Sequence, residues 1–176
     1  YKGIMLAGLD KIRKTEMSQY EEAFSNLDKS VEKFSGHKIL VLHQGITEFN
    51  KFAGELQSTD LPKNFTYYAM GHLHDKDIKQ FNHLKGPIAY PGSIELTTSE
   101  GIKDIKKGFF EVDISGDEAI PKWIELDTRP QFSFDTEYKE LSKTIDEIIE
   151  KITNLTKKPI IEVKIQGEEI ETDQIQ

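Results

Sequence analysis

The sequence predicts an α/β fold, and three observations carry that expectation. Apolar runs of strand length recur along the chain, and Lys38-Ile39-Leu40-Val41-Leu42 is nearly continuous, as in a strand buried on both faces. Two longer segments repeat apolar residues at three- and four-residue steps, the pattern of amphipathic helices. Turns rich in glycine and proline separate these pieces. Composition agrees: 36% of the 176 residues are hydrophobic and 31% are charged, a balance that suits a globular chain.

The first predicted strand covers residues 3–9, an apolar run with no arm before it. Such a start is expected either where upstream sequence has been removed or for a native edge strand. A helix is predicted over 16–34, through Met17, Tyr20, Phe24, Leu27, Val31 and Phe34, with Thr15 as its N-cap. Strands follow at 38–42, at 65–70 after the Leu61-Pro62-Lys63-Asn64 turn, and at 87–90 before the tight Pro91-Gly92-Ser93 turn. Two more, 108–114 and 120–127, flank Ser115-Gly116-Asp117 as a hairpin. Arg129-Pro130 reads as a boundary, so domains are expected at 1–129 and 130–176. The second part predicts a strand (132–135), an amphipathic helix (137–154, through Tyr138, Leu141, Ile145, Ile148, Ile149 and Ile152) and a strand (159–165). That βαβ piece is too small to fold well alone and is read as part of a further domain.

Several functions are excluded at once. Without cysteine there are no disulfides, thiolate nucleophiles or Cys-based zinc sites, so any metal must be held by His, Asp, Glu, Asn or Gln. No stretch approaches the ~20 apolar residues that span a bilayer, and nothing reads as a secretory leader, so the cytoplasm is the expected location. The net charge of −8 argues against a surface that traps nucleic acid everywhere, while leaving room for a local basic rim. Phosphate loops, the Gly-x-Ser-x-Gly elbow and the His-Glu-x-x-His helix are missing, and Ser93 has no evident adjacent base.

His43 directly follows one predicted buried strand, and His72 and His74 follow another in Gly71-His72-Leu73-His74. Strand ends of α/β sheets are where functional groups are placed. Gly45 and Gly71 beside them let the backbone approach an ion or phosphate. Residues two apart in an extended segment point the same way, so His72 and His74 can chelate one metal or reach two about 3.5–4 Å apart. On the residues alone, the reading of these histidines as ordinary polar loop residues stands beside the metal reading. His37 lies at the opposite end of its strand from His43, and His83 sits in a polar loop; both are expected at the surface. Lys76, Lys79, Lys85, Lys103, Lys106 and Lys107 form either a basic rim for a phosphate backbone or ordinary solvated lysines. Tyr67, Tyr68, Phe109 and Phe110 are expected to pack in a core rather than stack on bases.

Leu42-His43-Gln44-Gly45, the 67–74 segment ending in Gly71-His72-Leu73-His74, and Tyr90-Pro91-Gly92-Ser93 resemble the later motif series of the calcineurin-like metallophosphoesterases, in order and spacing. Within that superfamily the chain most resembles the DNA double-strand-break repair nucleases of the meiotic recombination eleven family, relatives of bacterial SbcD. Leu61-Pro62 and Lys107-Gly108-Phe109 are similar to that family too. The resemblance implies the C-terminal half of a metallophosphoesterase sandwich over 1–129, followed by part of a small α+β DNA-contacting cap. It also implies two manganese ions, one held by His43 and His72 and the other by His74; for a DNA substrate, the rim reading of the lysines would place contacts at Lys76, Lys79, Lys103, Lys106 and Lys107. Implied partners are double-stranded DNA ends, an SMC-like ABC ATPase and a second copy in the complete protein, with no membrane, in a prokaryotic and most simply archaeal cell.

The family's Asp-x-His, Gly-Asp and Gly-Asn-His-Asp motifs are not found, and with them the general-acid histidine. The expectation is therefore an enzyme fragment that hydrolyses no DNA alone. The alternatives are another calcineurin-like phosphodiesterase, or a non-catalytic module that docks DNA or the ATPase.

Overall fold

The computed structural model describes residues 3–11, 13–16, 18–95 and 106–167. The chain divides into two units. One runs to Ile94 and resumes from Lys107 to Leu126; the other takes in Glu95, Lys106 and the described chain from Asp127 onward. The Arg129-Pro130 step lies just inside the second unit.

A five-stranded sheet organises the first unit. Strands β1 (Ile4–Leu9), β2 (His37–Leu42), β3 (Tyr67–Met70), β4 (Asp77–Lys79) and β5 (Ile88–Tyr90) lie in the order β1-β2-β3-β5-β4. All pairings are parallel except β4 with β5. Alternation along the strands sends Leu40, Leu42, Tyr68, Met70, Ile88 and Tyr90 to one face. There they meet Tyr20, Phe24 and Val31 of helix α1 (Ser18–Glu32), whose three- and four-residue steps make one apolar stripe. Burying each such side chain stabilises the fold by about 1.5–3 kcal/mol.

The opposite face is covered in part by a hairpin of β6 (Gly108–Asp113) and β7 (Ile120–Glu125), which packs Phe110, Val112 and Ala119 against Tyr67 and Ala89. Its cover stops short of the β1–β2 edge. Leu6 is 63% and Val41 48% exposed, so β2 is not buried on both faces as its apolar run suggested. Phe109 is also exposed, unlike Tyr67 and Tyr68, which are buried as expected.

Two local differences have simple causes. Thr15 does not cap α1, because it lies inside a 3-10 turn (Lys14–Glu16) closed by the Glu16 amide on the Arg13 carbonyl at 2.8 Å. Met17, predicted for the helix stripe, lies outside the described residues. Strand β4 was not foreseen: three largely polar residues carry no strand pattern, and their backbone pairing with β5 is what defines them.

In the second unit, β8 (Gln131–Glu137) and β9 (Ile160–Gln166) pair in parallel around α2 (Leu141–Ile152), matching the βαβ expectation. Helix α2 docks through buried Ile148, a 2.8 Å hydrogen bond from Thr144 Oγ1 to Thr136 Oγ1, and Lys151 Nζ 4.4 Å from the Phe132 ring centre. Among the described residues no helix is long and apolar enough to cross a membrane.

Candidate metal centre

Parallel pairing puts the ends of β2, β3 and β5 on one edge of the sheet, and their last residues feed the three loops that matter. Leu42 pairs with Met70, and the Gly71 amide donates to the Leu42 carbonyl at 2.8 Å. His43 and Gly71-His72 therefore leave the sheet side by side. The His43 and His72 rings meet edge to face, with centroids 5.6 Å apart. Gly71 is what allows this: a Cβ there would stand 2.7 Å from His43 Nδ1. A Cβ on Gly45 would collide with the Ala53 carbonyl, 1.8 Å away, and touch the His72 ring at 3.3 Å.

His72 has φ +95°, a left-handed conformation in a residue that is not glycine. Such conformations cost of order 1–3 kcal/mol and persist where their surroundings impose them. On the far side of the loop, the His74 carbonyl accepts from the Ser93 amide at 3.1 Å. The Gln44 turn is fixed by Tyr90, whose hydroxyl donates to the Gln44 carbonyl and accepts from the Ile46 amide.

Electrostatics favours a neutral His72. Partial burial depresses its pKa first, the Lys11 ammonium next, and His43 and His74 add to this, while Glu55 opposes it. Lys11 Nζ lies 3.2 Å from His72 Nδ1 and 3.6 Å from Glu55 Oε1, and the Glu55 carboxylate accepts from the Gly45 amide at 3.3 Å. A neutral imidazole keeps the lone pair that a metal needs. Donor chemistry and the space left by Gly71 thus suit a borderline cation at His43 and His72. Among the described residues, however, no three His, Cys, Asp or Glu side chains gather into a group that could hold a metal ion. His74 is exposed.

No family model matches the chain. It is 32% identical over 169 residues to the DNA double-strand break repair protein Mre11 of Methanocaldococcus jannaschii, which covers 94% of the chain and 45% of that protein. Mre11 of Sulfurisphaera tokodaii is 31% identical, over 95% of the chain and 43% of the relative. Mre11 of Saccharolobus solfataricus is 30% identical, over 98% and 46%. Over nearly its whole length the chain is Mre11-like. It spans a little under half the length of these relatives.

In this Mre11-like chain the described lysines of the expected rim differ in their surroundings. Lys107 is buried, only 2% exposed, with Nζ 2.7 Å from Ser93 Oγ and 3.4 Å from the His74 carbonyl, so it is not a surface contact. Lys79 is committed to the Glu48 carbonyl at 2.7 Å and to Asp77 at 3.3 Å. Lys76 is exposed, its ammonium 4.5 Å from the centre of the Trp123 ring. Lys85 and Lys106 are exposed, and Lys103 lies outside the described residues. His37 opens β2, away from His43, and exposed His83 packs beside Phe81 at 5.6 Å. Lys11, Glu55 and the fastening role of Tyr90 were missed. Nothing in the local sequence marks them, because each acts across a distance in the chain that only the sheet closes.

Proposed function

We propose that the chain is part of a manganese-dependent nuclease for double-strand-break repair, with His43 and His72 holding one ion and His74 a second. The observation that carries this reading is the pairing of His43 with His72 at the carboxyl edge of parallel strands, in a chain that aligns with part of Mre11 over 94% of its own length. Two such ions, when bound, would activate a water for in-line attack on a phosphodiester and neutralise charge on the phosphorus centre. His43 and His72 offer neutral nitrogen donors from one rigid sheet edge. Lys76 offers a positive charge to a phosphate backbone, and Lys106 does so on the second unit. The exposed apolar strip at Leu6 and Val41 supports the idea of half a sandwich, since it would be covered by a further sheet. The second unit, in this reading, is the beginning of a DNA-contacting cap. The complete protein is expected to work as a dimer with an SMC-like ABC ATPase, on double-stranded ends.

Hydrolysis of double-stranded DNA by the complete protein with Mn2+, set against a chromogenic phosphodiester, tests this reading. DNA cleavage abolished by joint His72→Ala and His74→Ala substitution is expected. Cleavage of the chromogenic ester but not of DNA would favour another phosphodiesterase. Calorimetry showing no Mn2+ binding would favour a non-catalytic docking module. The isolated chain is expected to cleave nothing, and Mn2+-dependent cleavage by it would refute that part.

A further inference from the structure

We propose that Lys107 is a positioning residue, whose buried ammonium holds the His72-Leu73-His74 segment in the backbone form that presents its imidazoles to a cation. The proposal rests on the metal reading of these histidines, but its geometry stands independently. Lysine is seldom fully buried, because its ammonium must be satisfied inside the protein. Lys107 is nevertheless 2% exposed, and its Nζ donates to Ser93 Oγ at 2.7 Å and to the His74 carbonyl at 3.4 Å. The same carbonyl accepts from the Ser93 amide. Two donors from separate stretches of chain therefore fix the plane of the peptide leaving His74.

The turn that delivers Ser93 is pressed against the same loop. Gly92 has φ +78°, and a Cβ there would lie 2.7 Å from the His74 carbonyl. At the other end of the segment, the Gly71 amide is held by Leu42. The strained residue, His72, lies in the chain between these two clamps, and such conformations persist where their surroundings impose them.

Lys107 is itself firmly anchored. Its carbonyl accepts from the Leu126 amide at 2.8 Å, and Gly108, the next residue, packs so closely that a Cβ would meet the Trp123 ring at 2.6 Å. The hairpin is thus a rigid mount from which one side chain reaches the metal loop. A staple of general stability would work from any such position. Lys107 instead engages the carbonyl of a proposed ligand and the serine that caps it, the outer contacts by which proteins orient metal ligands.

The test uses the complete protein with Lys107→Met, Lys107→Arg and Ser93→Ala, and Mn2+ alone as the probe. Lys107→Met is expected to weaken Mn2+ binding about 10- to 100-fold by calorimetry. It should lower kcat on DNA with KM little changed, and Lys107→Arg should recover part of both. In metal-free protein, the imidazole Cε1–H resonances of His72 and His74 should move while those of His37 and His83 stay. Wild-type Mn2+ affinity together with unmoved His72 and His74 signals would overturn the proposal. So would a salt dependence of DNA binding reduced by about one unit with metal affinity intact, which marks a phosphate contact. Should Lys107→Met not fold, Ser93→Ala decides by the same readouts, since it removes the partner and keeps the charge. Should the wild-type protein bind no Mn2+, the functional reading fails, and the metal-free histidine signals judge the positioning alone.

Discussion

The Tyr90 hydroxyl donates to the Gln44 carbonyl at 2.7 Å and accepts from the Ile46 amide at 3.0 Å, so one side chain of β5 fastens the turn that follows His43. Burial raises the phenol's pKa far above its ordinary value, which keeps the proton it donates. Tyr90→Phe strands a buried carbonyl and a buried amide, each worth about 1–3 kcal/mol when left unpaired. The expected result is a urea midpoint lowered to match a loss of that order. An unchanged midpoint would show that the turn holds itself.

Gly71→Ala tests the site more than the fold. The added methyl meets the end of a side chain, His43 Nδ1 at 2.7 Å, and not backbone. His43 can swing away, at the expense of its place beside His72. The variant should fold with a wild-type circular dichroism spectrum and lose Mn2+ affinity by at least tenfold, comparable with a disturbed ligand shell. Wild-type affinity would show that the 5.6 Å pairing of the two rings is not what binds the ion.

His72 offers a trade between stability and chemistry. At φ +95° a glycine is unstrained where histidine is not, although glycine gives back part of the gain through its freer unfolded chain. His72→Gly should therefore raise the unfolding midpoint while abolishing metal binding, the opposite of the loss usual for truncating a half-buried side chain. A destabilised variant would mean that packing around the imidazole outweighs its backbone strain.

Much of this was legible in the sequence, and what was not has a common cause. Apolar runs and helical spacing marked β2, β3, α1, α2 and the β6–β7 hairpin, because each buries a regular face. His43 and His72 stood out through their position after such runs. Strand β4, the clasp of Tyr90 and the burial of Lys107 could not be seen, since each depends on a partner far along the chain. Lysine in a loop reads as solvated by default, and only the folded hairpin shows that Lys107 points inward.

The loop that follows His43 should also respond to acid, through Glu48. Its carboxylate accepts from Ser58 Oγ at 2.5 Å and from the Ser58 amide at 2.9 Å, closing the segment that carries Glu55. Burial pushes the Glu48 pKa up, but the hydrogen bonds from Ser58 outweigh it, and the folded carboxyl titrates below its ordinary value. The unfolded chain thus takes up the proton first as pH falls, so the stability that Glu48 contributes is complete above the ordinary glutamate pKa, ~4.3, and drains away as pH drops through the lower folded value. Glu48→Gln should be less stable than wild type at pH 7, with the gap narrowing on acidification below about pH 5. Thermal unfolding of both proteins between pH 7 and 3 measures it. A gap that stays constant, or widens in acid, would mean that the charge on Glu48 contributes nothing to the clasp.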